Sequence, residues 1–220
     1  MNQPALKRVC MRDHIRDVLV GRILDGTYPA GTQLKELYLA REFDVSQAPI
    51  REALRELEGS GLVTSQRFRG TRVRGADFAE MRESYELRIM LEMRSVALAA
   101  PYSSEMLADL AVFLQRMDAA VKADDAESYI EDTLRFHRRL IEGSGNRTFL
   151  AVWDSLLWDI RGRIALRRLT DMGKSLRPFL NMHKALLARL RDQDVAGATD
   201  RVRALLTRVA AAFDQPATTR

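Results

Sequence analysis

Residues 44–63 read DVSQAPIREALRELEGSGLV, and their spacing sets the architecture of the first third of the chain. Ile50, Ala53, Leu54 and Leu57 recur at helical intervals and make one apolar stripe. Ser46 stands where an N-cap belongs, and Pro49 falls in the first turn, where a missing N–H costs little. Gly59 and Gly61 close the helix. With the stripe turned inward, Gln47, Ala48, Arg51 and Arg55 occupy the opposite face.

On the N-terminal side, residues 11–26 predict a helix with Ile15, Val18, Leu19 and Ile23 on one face, ended by Gly26. TYPAGTQL is a Pro/Gly turn, and a second short helix follows over 35–43 with Leu37, Ala40 and Phe43 facing in. On the C-terminal side, residues 62–74 change period: LVTSQ, a polar tip RFRG and TRV predict a short hairpin. Three helices and a basic hairpin make a winged helix-turn-helix, assigned to residues 1–75. From Asp77 onward the pattern is helical, with six helices expected at about 77–100, 104–122, 125–143, 147–170, 174–192 and 194–213. The expected fold class is mainly α: an N-terminal winged helix-turn-helix and, over 76–220, an all-α helical-bundle domain for ligand binding and dimerisation.

Charge follows the same division. Residues 1–75 hold 13 of the 35 lysines and arginines but only 9 of the 30 acids, so nearly all of the net +5 lies there. A basic N-terminal module is the electrostatic footprint of a polyanion partner. No apolar run approaches the ~20 residues of a membrane span, and the charged first twenty residues do not resemble a secretory signal. The lone Cys10 excludes an intrachain disulfide. A cytoplasmic protein is expected.

The side chains of the third helix suit duplex DNA. Glutamine can pair bidentately with adenine, and arginine with guanine or phosphate. Arg51 and Arg55 are four apart and share a face, while Ser46 at the helix N-terminus can donate to a phosphate. Arg67, Arg69, Arg72 and Arg74 arm the hairpin without an intervening acid, and Gly70 permits its turn and a close approach to the duplex. The arginine face also fits a solvated surface paired with Glu52, Glu56 and Glu58.

These segments resemble the DNA-binding domain of the GntR family. The resemblance rests on the turn from Gly26 to Gly31, on Glu36-Leu37-Tyr38-Leu39-Ala40, on Val45 to Leu54, and on Arg69 to Val73. Ala30 lengthens the turn by one residue, and Gln47 stands where the family places arginine. The resemblance implies DNA contact by Ser46, Arg51 and the wing.

The remainder is similar to the helical FCD effector domain of the FadR-type branch, through LRIMLEMRSVALAA at 87–100, FHRRLIEGSGN at 136–146 and HKALLARLRDQD at 183–194. Six helices point to the VanR-like subgroup. The resemblance implies a homodimer on palindromic double-stranded operator DNA, controlled by a small anionic metabolite, most simply as a repressor. Many relatives bind a metal with one Asp and three His. Here His137 and His183 match two of these, but Thr133 and Leu205 occupy the other positions. Asp132 lies about 140° round the helix from His137. His137 and His183 are therefore weak metal candidates, and polar groups lining a cavity describe them better; no cofactor is expected.

Arg88 leads the effector-binding candidates, since a guanidinium fork holds a carboxylate bidentately. An ordinary intrahelical pair with Glu92 fits the same spacing. Asn146, Arg161 and Arg163 complete the candidate set, and Trp153 and Trp158 read as core. Two other functions remain open: an architectural DNA binder without a ligand, and an enzyme with a basic docking module. Against the enzyme, the chain has no phosphate-binding glycine loop, G-x-S-x-G or H-E-x-x-H.

Overall fold

The stripe of residues 44–63 is buried as its spacing predicts: Ile50, Ala53, Leu54 and Leu57 lie in the core of the N-terminal unit. The computed structural model describes residues 11–66, 70–74 and 77–214. The chain divides into two compact units, Met1–Asp77 and Phe78–Arg220.

In the first unit, α1 (Met11–Leu24) buries Ile15, Leu19, Val20 and Ile23. The helices α2 (Glu36–Glu42) and α3 (Gln47–Gly59) follow, and α3 packs against both of the others. Leu37 is exposed, contrary to expectation; Leu39 and Ala40 are the inward pair of α2. Strands β2 (Val63–Gln66) and β3 (Gly70–Val73) form the antiparallel hairpin, with Val63 opposite Val73 and Gln66 opposite Gly70. A two-residue strand, β1 (Gln33–Leu34), adds to the far edge of β3 and gives the order β1-β3-β2. So short a strand carries no period to read. Gly31, at φ 89°, lets the preceding turn fold back so that its N–H donates to Val73 O at 2.8 Å.

The second unit is helical throughout its described residues: α4 (Phe78–Leu98), α5 (Ser104–Ala123), α6 (Ala126–Gly143), α7 (Arg147–Ser155), α8 (Trp158–Asp171), α9 (Arg177–Arg191) and α10 (Val195–Ala210). Helix α6 packs against α4, α5 and α8, and α10 packs against α4 and α9. Asp125 caps α6 by accepting from Ser128 N, and Asp194 caps α10 by accepting from Gly197 N.

Seven α-helices replace the six expected, because the single helix expected over 147–170 is broken. Leu157 adopts a left-handed conformation, φ 51° and ψ 50°, between α7 and α8. No glycine or proline marks the break, so composition gave no sign of it. The helix count no longer favours the VanR-like subgroup. Arg161 Nε donates to the freed Leu156 carbonyl at 2.9 Å. The same break turns Trp153 and Trp158 together, with ring centroids 5.6 Å apart.

Candidate DNA-reading face and effector cavity

The outward face of α3 is built by what its inward face and neighbours remove. Glu56 is drawn toward α1, with Arg12 Nε and Arg16 Nη1 each 3.1 Å away. Glu58 accepts from Ser65 N at 2.7 Å. Neither acid pairs with Arg51 or Arg55. Ser46 occupies the N-cap position in an extended conformation and is exposed, but its side chain makes no capping bond. Its hydroxyl and the first amides of α3 are therefore open to an anion. Gln47 Oε1 accepts from Arg51 Nη2 at 3.1 Å, while Arg51 Nε donates to Glu36 Oε2 at 2.6 Å. Ala48 and Arg55 are exposed, and Arg55 has no ion-pair partner among the described residues.

Of the wing, Gly70 holds φ 77°, and a Cβ there would approach Gln33 Nε2 to 3.2 Å. Arg72 of β3 donates to Gly31 O at 3.0 Å, and Arg74, just past the strand, donates to Asp77 at 2.8 Å, so both arginines are engaged locally. Arg67 and Arg69 lie outside the described residues.

The second unit contains a cavity of about 480 Å³, counting the part continuous with solvent, between α4, α6, α8, α9 and α10. Arg88, His137 and His183 line it. The other three candidates do not. Asn146 caps α7, accepting from Thr148 N and Phe149 N. Arg161 is buried as a brace, donating to Ser84 Oγ at 2.8 Å and to Glu80 Oε1 at 3.2 Å. Arg163 pairs with Glu127. The partners of Arg161 and Arg163 are distant in sequence and helical spacing cannot supply them, whereas those of Asn146 are its near neighbours along the chain.

Arg88 is held from two directions. Its Nε donates to Glu92 Oε1 at 2.6 Å, with both residues buried. Its guanidinium carbon lies 4.7 Å from the Trp158 ring centroid, 4.9 Å from that of Trp153 and 5.4 Å from that of Tyr85. The intrahelical pair and the cavity position are both true of this arginine. Its Nη2 has no hydrogen-bond partner among the described residues, nor do the Thr133 and Tyr129 hydroxyls on the same cavity. Sequence reasoning missed Tyr129 and missed Thr133 as a cavity group. The available signal was their position eight and four residues before His137, respectively, on α6.

A buried chain of polar contacts continues from Glu92. Its Oε2 is 2.5 Å from His137 Nδ1; His137 Nε2 is 3.1 Å from His183 Nε2; and His183 Nδ1 is 2.8 Å from Phe179 O. Burial opposes ionisation of Glu92, but His137 and Arg88 outweigh it and hold the carboxyl below its ordinary range. Burial, reinforced by His137, pushes His183 down to about 3, so this imidazole is neutral. Burial also lowers His137, against the pull of Glu92. A carbonyl can only accept, so His183 carries its proton on Nδ1 and presents a lone pair at Nε2. Neutral His137, donating to Glu92, does the same, and the two lone pairs meet.

Residues 83–208 match the FCD domain family, and residues 11–73 match the bacterial regulatory proteins of the gntR family. The chain belongs to the GntR family. It is 28% identical over 184 residues to the probable D-xylose utilization operon transcriptional repressor of Paenarthrobacter nicotinovorans, covering 82% of this chain and 81% of that one. It is 28% identical over 177 residues to the gluconate operon transcriptional repressor of Bacillus licheniformis, covering 79% and 72%. Among solved structures, E. coli McbR/YncC shares the fold with a TM-score of 0.75 at 23% identity, covering 94% of this chain and 98% of that one. This GntR-family chain is thus a ligand-responsive, DNA-binding transcription regulator and not an enzyme. No helix among its described residues is long and apolar enough to cross a membrane.

FCD domains often hold a metal, and the residues of this one do not fit it. Thr133 and Leu205 line the cavity where ligands would be needed. Both Glu92 oxygens are already in use, by Arg88 and His137, so this carboxylate is not free to bind a metal. Asp132 is bonded to Arg135 at 2.9 Å and does not line the cavity. Two imidazole nitrogens without a free carboxylate make a poor site for a divalent ion.

Proposed function

We propose that the chain represses transcription as a homodimer on a palindromic operator in the cytoplasm, with α3 in the major groove and the Arg88 cavity receiving a small carboxylate-bearing effector. The observation that carries the DNA reading is the outward edge of α3: an uncommitted Ser46 hydroxyl, then Gln47, Arg51 and Arg55, with Glu56 and Glu58 engaged elsewhere. Arg55 can reach DNA directly. Arg51 must exchange Glu36 for phosphate or base, and an exposed pair permits that exchange. Arg67 and Arg69 are assigned to the wing's minor-groove or backbone contact, with Gly70 allowing close approach.

Support for the dimer comes from α4. Glu83, Leu87, Met90 and Arg94 form an exposed row at alternating four- and three-residue steps. A second copy set antiparallel, about a twofold between Leu87 and Met90, places Leu87 against Met90 and Glu83 against Arg94. Neither charge has an ion-pair partner among the described residues.

Electrophoretic mobility of the upstream intergenic DNA tests the reading helix. Arg55→Ala and Arg51→Ala should each weaken specific binding by about 1–3 kcal/mol while leaving the chain folded. Undiminished affinity in both variants would remove α3 from the groove. Sedimentation tests the dimer: Met90→Glu should yield monomers, and a dimer of unchanged strength would place the interface elsewhere.

A further inference from the structure

The walls that α8 and α10 give the cavity are carbon. Ala165, Leu166 and Leu169 of α8 and Leu205, Leu206 and Val209 of α10 offer a ligand no side-chain hydrogen bond. A polyhydroxylated sugar acid would find the Thr133 and Tyr129 hydroxyls of α6 but would bury its remaining hydroxyls against α8 and α10 without partners, which is unfavourable. An alkyl or phenyl body would not.

The polar end carries no spare positive charge. Arg88 is the one cation among the lining residues, and Glu92, itself fully buried, already neutralises it. A bare carboxylate at Arg88 Nη2 would bring a second negative charge into a low-dielectric space with nothing to balance it. The histidine pair meets this need. Three contacts run from Glu92 through His137 and His183 to Phe179 O, but two neutral imidazoles supply only two protons. One proton placed at the Nε2–Nε2 contact satisfies the third.

We infer that the cavity takes an apolar monocarboxylic acid together with one proton. The site is then neutral overall: the carboxylate accepts from Arg88 Nη2, and the added proton lies at the His137–His183 nitrogen contact, where its charge balances the head. The ionisable groups around the head are Tyr85, Arg88 and Glu92 of α4, Tyr129 and His137 of α6, and His183 of α9. The lining residues from α8 and α10 contribute none. This inference rests on the cavity being the effector site.

Calorimetry on the full chain between pH 6 and 8 tests it, with octanoate, 3-phenylpropanoate, octanamide and gluconate as probes. The dissociation constant of octanoate or 3-phenylpropanoate should rise about tenfold per pH unit, with about one proton taken up per ligand across buffers of different ionisation enthalpy. Octanamide should bind with a flat profile, and gluconate should not bind. Tight acid binding without pH dependence would overturn the proton uptake, and preference for gluconate would overturn the apolar class. Glu92→Gln removes the neutralising charge, so octanoate should bind it more tightly than the unaltered chain at pH 8, with the pH dependence flattened. If that variant does not fold, the unaltered chain's own profile decides. Should no probe bind while the upstream DNA still shifts, the ligand class is wrong and the regulator stands; loss of the DNA shift as well would sink the function on which this inference rests.

Discussion

Two arginine–glutamate pairs in this chain have the same length and opposite uses. Arg51 Nε and Glu36 Oε2 are 2.6 Å apart, with side chains 55% and 35% exposed. Arg88 Nε and Glu92 Oε1 are also 2.6 Å apart, but 3% and 0% exposed. Water screens the first pair, so it contributes little and can be traded for a phosphate. The second has lost its hydration, so each member depends on the other and neither is free to move. Distance therefore says little about an ion pair's role; the surrounding dielectric decides whether it is a contact held in reserve or a fixture.

That contrast can be broken most forcefully at the buried pair. Glu92→Ala leaves Arg88 charged and uncompensated, and thermal or urea unfolding should show a loss of about 3–5 kcal/mol. A loss under about 1 kcal/mol would show that water reaches the pair. The cavity can next be turned toward metal chemistry. Thr133→Asp with Leu205→His would add a carboxylate and a third imidazole to the same cavity, and zinc at a hundred times its Kd should then stabilise the fold by about 2.7 kcal/mol. The unaltered chain should gain far less in the same melt. The smallest effect belongs to the exposed pair: Glu36→Gln should shift stability by no more than about 0.5 kcal/mol, while freeing Arg51 to tighten DNA binding modestly. A large stability change there would mean the pair is part of the fold.

The outward face of α3, proposed to read DNA, was legible because it is local. The apolar residues of α3 and its outward set are both fixed by one helical period within a dozen positions, so no knowledge of other elements was needed. In the second unit the elements were legible and their use was not. Six candidate effector residues divide evenly, with Arg88, His137 and His183 on the cavity and Asn146, Arg161 and Arg163 serving as cap, brace and surface partner. Each of those three looked like a binding group because its residue type can bind; only its neighbours show that the capacity is already used.

Spacing along the chain was enough to place most of the helices and the outward face of α3, and the resemblance to the FCD domain implied that two of four metal-ligand positions lack a ligand. Those are properties of neighbours along the chain. Tertiary structure decided that α7 and α8 are separate helices, that two tryptophans flank Arg88, and that Glu92 meets His137 across 45 positions and His137 meets His183 across 46. Packing brings such pairs together, and packing buries them; burial is what makes a charge or a proton in that cavity costly enough to govern what it binds.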